Sequence, residues 1–217
     1  MKTDKQLKQD VERELDWDPA VDPSGIGVEV HNGIVTLAGH LASYSEKLAA
    51  EKAVQRVSGS KAVVIELDVR IPHAEQHSDE DIAAAARSAL QWTVGLKADD
   101  IKVMVEKGRV TLSGEVAWGY LRNVAENAVS HLRGVTLVFN QVKVSPQIAP
   151  ANISQKIEEA LKRHAQDEAK HIAVSVADGK VTLRGQVKSF SEKAITRTAA
   201  WSAPGVHSVV DELTVIG

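Results

Sequence analysis

No cysteine occurs among the 217 residues. That excludes disulfides, thiolate nucleophiles and thiolate metal sites together. No apolar run approaches the roughly 18 residues that span a bilayer, so no transmembrane segment is expected. No basic tract marks a phosphate-backbone footprint and the net charge is −3, which argues against nucleic acid as a partner. The N-terminal "MKTDKQLKQDVERELDWD" is charged throughout and lacks the apolar core of a secretory signal. Taken as it stands, it implies a cytoplasmic location; a leader removed by processing would place the same chain in the periplasm. Rings are scarce as well: aromatic residues make up 4% of the chain. Yet Trp118 and Tyr120 stand almost side by side in "VAWGYLRN", beside Leu121. What remains is ordinary for a globular protein, with 25% charged and 43% hydrophobic residues.

The chain repeats itself. "VEVHNGIVTLAGHLASYSEKLAAEKAVQRVSG", "VMVEKGRVTLSGEVAWGYLRNVAENAVSHLRG" and "VSVADGKVTLRGQVKSFSEKAITRTAAWSAPG" align without a gap. Their anchor is G-x-V-T-L-x-G, whose structural glycines are Gly33 and Gly39, Gly108 and Gly114, Gly179 and Gly185. Repeated spacing of this kind marks repeated structural units. Upstream, "LKQDVERELDW", "IAAAARSALQW" and "ISQKIEEALKR" place Leu7, Val11 and Leu15, then Ile82, Ala86 and Leu90, then Ile153, Ile157 and Leu161 on one helix face. Thr3 with Gln6 reads as a capping box, and Ser78 precedes an acidic first turn.

Alternation then predicts a strand over Ile26, Val28 and Val30 and its counterparts. Asn32-Gly33, Lys107-Gly108 and Asp178-Gly179 read as tight hairpin turns. A second strand, a second helix and a third strand follow in each copy. The expected fold class is α+β, as three tandem αββαβ domains, each a three-stranded mixed sheet with two helices on one face. The strand–helix–strand link suits a parallel crossover. Boundaries fall at 1–71, 78–145 and 151–217, with proline-bearing linkers at 72–77 and 146–150. The helix-free sheet faces carry Thr36, Thr111, Thr182, Val64, Met104, Phe139 and Val210, a surface that is either half-solvated or packed between domains.

This pattern resembles the BON domain family. The resemblance rests on the G-x-V-T-L-x-G segments, the Ala- and Glu-rich helix after them and the closing strands "GVTLVFNQVKV" and "GVHSVVDELTV". The first copy departs from it at Ser60, where the others have Val135 and Val206. The resemblance covers the whole chain. It implies a non-enzymatic binding module, with anionic phospholipid or an envelope-associated protein as the partner, in a setting of osmotic or other stress. A cytoplasmic scaffold, or a sensor of small ligands or ions in the clefts between domains, is the alternative.

No catalytic constellation is visible. None of the eight histidines repeats at an equivalent position. His73 and His77 are four apart but lie in a linker, so no metal site is expected there. "GIGVEVHNG" and "GKVT" lack the spacing and the following helix of a phosphate loop, so no cofactor is expected. Contact residues come instead from comparing the copies. Trp118 and Tyr120 stand where the other copies have Ser43 and Ser45, or Ser189 and Ser191; Leu121 replaces Glu46 and Glu192, and Gly119 replaces Tyr44 and Phe190. Trp118, Tyr120 and Leu121 are therefore a candidate lipid or partner contact, unless the rings fill the place of the missing one or pack between domains. Trp201, where the other copies have Gln55 and Ser130, is a second candidate, with Lys193 and Arg197 on the same helix face; an inter-domain plug is its alternative. Trp17 and Trp92 share one position after the first helix and are expected in the core.

Overall fold

The computed structural model describes residues 2–145, 172–203 and 205–216. The first copy runs α1 (Asp4–Trp17), β1 (Ile26–His31), β2 (Ile34–Leu41), α2 (Tyr44–Arg56) and β3 (Ala62–Val69). The second repeats it as α3 (Asp79–Trp92), β4 (Ile101–Glu106), β5 (Arg109–Val116), α4 (Gly119–Ser130) and β6 (Leu137–Val144). The third contributes β7 (Ile172–Ala177), β8 (Lys180–Val187), α5 (Phe190–Trp201) and β9 (Ser208–Val215). The helix expected at Ile153, Ile157 and Leu161 and the linker at 146–150 lie outside the described residues. The fold is α+β, arranged as three repeated units.

The starts of α1 and α3 follow from their sequences. Thr3 and Gln6 form the reciprocal capping box at α1, and the Ser78 hydroxyl accepts from the Asp81 amide at α3. Leu7, Val11 and Leu15 are buried, as are Ile82, Ala86 and Leu90. Each sheet has its second strand in the middle, antiparallel to the first and parallel to the third. The hairpin turns take positive φ at both central residues, 52° and 80° at Asn32-Gly33 and 52° and 73° at Lys107-Gly108. That is the turn whose twist matches the flanking strands.

Two features keep the copies alike. The Asp4 carboxylate accepts from the amides of Asn32 and Gly33 at 2.8 and 2.9 Å. Asp79 does the same for Lys107 and Gly108 at 2.7 and 2.9 Å. The first residue of the first helix thus ties down the hairpin. Gly39 and Gly114, at φ 140° and 135°, let a carbonyl come close: a Cβ there would lie 2.0 Å from the Gly25 oxygen and 1.9 Å from that of Asp100. No side chain larger than hydrogen fits.

Three apolar cores result, centred on Val35 and Leu37, Val110 and Leu112, and Val181 and Leu183. They are not wholly separate. Tyr44, Leu48 and Val69 of the first copy pack into the second copy's core. Helix α5 packs against both α2 and α4. The copies therefore meet through their second helices. Among the described residues, the helix-free faces of the first two sheets are open at their apolar centres: Met104, Phe139 and Val64 are exposed, with Met104, Thr111 and Phe139 in register across the middle sheet, whereas Val210 of the third is half-buried.

Candidate contact surfaces

The second helix starts differently in the middle copy. At α2 the Ser43 hydroxyl caps the helix by accepting from the Glu46 amide at 3.1 Å, and at α5 Ser189 does the same with Glu192 at 3.1 Å. The two glutamates reach back, accepting from the amides of Ala42 and Lys188. At α4 the capping position holds Trp118, which makes no side-chain cap. Replacing a serine cap by a residue that cannot cap costs about 1 kcal/mol. Trp118 is 36% exposed and Tyr120 41% exposed. Leu121 is not part of that surface. It is 5% exposed and belongs to its own copy's core, with Cδ2 3.2 Å from where a Cβ on Gly95 would stand. The expected Trp–Tyr–Leu cluster is thus two rings, because a leucine freed from the capping role of Glu46 and Glu192 turns inward.

Gly119 has a direct explanation. A Cβ there would sit 2.2 Å from Cε3 of Trp201, and 3.2 Å from the Trp201 carbonyl oxygen. The ring that copy two lacks is replaced by one from copy three. Trp201 is half-buried, packed against its own copy's core as well as on Gly119. Tyr44, at the equivalent place in copy one, carries its own ring across a junction. It is buried against the second copy. Burial pushes its phenol above the usual value, and the nearby charges of Glu126 and Glu51 push the same way. Burial likewise raises the Glu51 carboxyl, against the pull of Lys47 one turn before it.

The charged candidates separate too. The Lys193 ammonium donates to the Leu213 carbonyl at 2.7 Å and lies 3.4 Å from Asp211. Lys47 makes the same bond to Leu67 in copy one, at 2.8 Å. Lys193 is thus a repeated structural tie between helix and third strand. Arg197 is exposed.

Trp17 and Trp92 overturn the expectation of core positions. They are 83% and 84% exposed, and Val94 beside Trp92 is 94% exposed. The reason lies in helix geometry. The buried stripe ends at Leu15 and Leu90, and two further residues rotate about 200° around the helix, away from the sheet. Both copies therefore present a tryptophan to solvent at the same place. Among the described residues no group of three or more His, Asp or Glu side chains is gathered as a metal ion would need. No helix among them is long and apolar enough to cross a membrane.

The chain is similar to known proteins. The outer membrane lipoprotein DolP of Haemophilus influenzae is 29% identical over 143 residues, covering 64% of this chain and 74% of its own. Two structures of CdsD, a structural protein of the type III secretion system of Chlamydia trachomatis, align over 97% and 96% of this chain and 98% and 91% of theirs. Both are 18% identical, with TM-scores of 0.26 and 0.25. The BON domain matches three times, at residues 3–71, 78–146 and 150–217. These ranges take in nearly every residue, and the chain belongs to the BON domain family.

Proposed function

We propose that this chain is a non-enzymatic binding protein of the cell envelope that contacts phospholipid or an envelope-associated partner through tryptophans standing off its helix ends. The observation that carries this reading is the near-complete exposure of Trp17 and Trp92 at one repeated position. Tryptophan is costly to leave in water and suited to an interface that is wet on one side. Trp118 and Tyr120 form a second, smaller contact; Trp118 occupies a capping position it cannot serve, a local loss that a contact role would offset. The likeness to an outer membrane lipoprotein supports the envelope setting. It favours the periplasmic side over the cytoplasm.

Co-sedimentation with neutral and anionic vesicles tests this. Wild type is expected to pellet with vesicles. Trp17→Gln with Trp92→Gln should weaken partitioning by about tenfold per ring, since burying a large apolar side chain is worth about 1.5–3 kcal/mol. Failure of the wild-type chain to pellet with either vesicle type would remove the lipid reading. Undiminished binding by the double variant would move the contact elsewhere.

A further inference from the structure

A cavity of about 470 Å³ lies where the segment after β3 passes over the hairpin of the second copy. Its lining includes Arg70, His77, Asp79, Lys107, Gly108 and Thr136, of which Arg70, His77 and Lys107 are exposed. The one carboxylate present is already engaged. Both Asp79 oxygens accept backbone amides, from Lys107 at 2.7 Å and Gly108 at 2.9 Å. Among the described residues, neither the Arg70 guanidinium nor the Lys107 ammonium makes a hydrogen bond or ion pair. The cavity is therefore lined by two unpaired cations and a histidine, with its acid engaged by the turn it supports and the Thr136 hydroxyl donating to the Lys107 carbonyl at 3.5 Å.

Lys107 carries a second, independent signal. It sits at φ 52°, in a region where Asn and Asp are enriched and a long side chain is not. The other copies follow that preference, with Asn32 at φ 52° and Asp178 at φ 47°. Turn chemistry alone does not select lysine there. Arg70 is likewise peculiar to this junction. Its amide bonds to Leu41, as those of Ser145 and Ile216 bond to Val116 and Val187, so serine and isoleucine fill its place in the other copies.

We propose that this cavity binds a small phosphate-bearing anion, held by Arg70 as a planar fork and by Lys107 as a point charge. The ligand chemistry is a phosphate ester. It is supplied either by a lipid headgroup at a membrane surface or by a soluble phosphomonoester. The site does not depend on the tryptophan contacts.

The test uses the full chain, titrated with glycerol 3-phosphate while backbone amide NMR shifts are followed, and in parallel pelleted with phosphatidylglycerol and phosphatidylcholine vesicles. Arg70→Gln and Lys107→Asn are the variants, the second keeping the turn by adopting the first copy's residue; Lys102→Gln is the charge-matched control. Saturable shifts at Gly108, Gly134 and Thr136, weakened about tenfold by each variant and unchanged by the control, support the proposal with a soluble ligand. Retention by phosphatidylglycerol vesicles alone, lost in Arg70→Gln with Lys107→Asn and kept in the control, supports it with a headgroup. Binding in neither arm, or binding reduced equally by all three substitutions or by none, overturns it. A chain that binds glycerol 3-phosphate but never pellets keeps this site while losing the membrane reading, so the two fail separately.

Discussion

The four tryptophans fall into two pairs. Trp17 and Trp92 end the first helices of two copies, occupy the same place in the repeat and stand in solvent. Trp118 and Trp201 mark opposite ends of second helices, each peculiar to one copy, at the region where the copies meet. Trp201 breaks the repeat because it serves a junction, filling the space left open at Gly119 of the second copy. A feature that keeps the repeat yet faces water has no folding reason to be apolar, and a contact is the reason left.

This contrast can be broken at the junction first. Gly119→Phe would restore the ring of the other copies in space already filled by Trp201 and should give the largest loss. Gly119→Ala alone should cost about 1–3 kcal/mol through overpacking, since its Cβ would lie 2.2 Å from the indole. Thermal unfolding followed by circular dichroism measures it. Pairing the change with Trp201→Ser should recover part of the loss, a coupling of about 1 kcal/mol or more that independent sites would not show. Next is Trp118→Ser, which restores the cap present at α2 and α5. It should raise stability by about 1 kcal/mol while weakening any partner contact, opposite signs that separate folding from function.

A smaller effect is expected from pH. Burial holds the folded Glu51 carboxyl above its ordinary 4.5, so the folded state keeps its proton more tightly than the unfolded chain. The stability this contributes is complete below the unfolded value and is lost as pH rises through the folded one. Asp18 runs the other way. Hydrogen bonding from Arg56 holds it below its ordinary 3.8, so its contribution is present above that value and is lost only as pH falls through the folded one. Melting midpoints should therefore decline above pH 4.5 through the raised value, and Glu51→Gln should flatten that decline. The smallest effect on stability should come from Trp17→Gln and Trp92→Gln, within about 0.5 kcal/mol of wild type, because both residues are mostly exposed. A larger loss would mean that these rings belong to a core after all.

The strands, hairpins and first two helix starts were legible because each rests on a local rule: alternation, a turn pair that tolerates positive φ, a hydroxyl ahead of an acidic turn. The exposure of Trp17 was legible too, since it lies off the stripe of Leu7, Val11 and Leu15, but apolar character suggested burial and outweighed angle. Leu121 was misjudged because its counterparts are glutamates, which a sequence comparison assigns to the surface; in the structure Glu46 and Glu192 are half-buried. Their carboxylates accept from the amides of Ala42 and Lys188, a role leucine cannot take. The Trp201–Gly119 contact could not be read locally, being made by residues of different copies. The Asp4 and Asp79 ties to the hairpins were equally hidden, since nothing in a first helical turn shows which backbone its carboxylate will meet.

The exchange of a ring for a glycine at Gly119 also bears on how the chain avoids error. Three units of one fold on one polypeptide invite strands of one to complete the sheet of another. Unequal junctions act as addresses: Tyr44 finds a place on the second unit, whereas Trp201 finds one only where no side chain stands in its way. A gene in which the units were shuffled should still encode three folded units, but they would no longer dock in a single order.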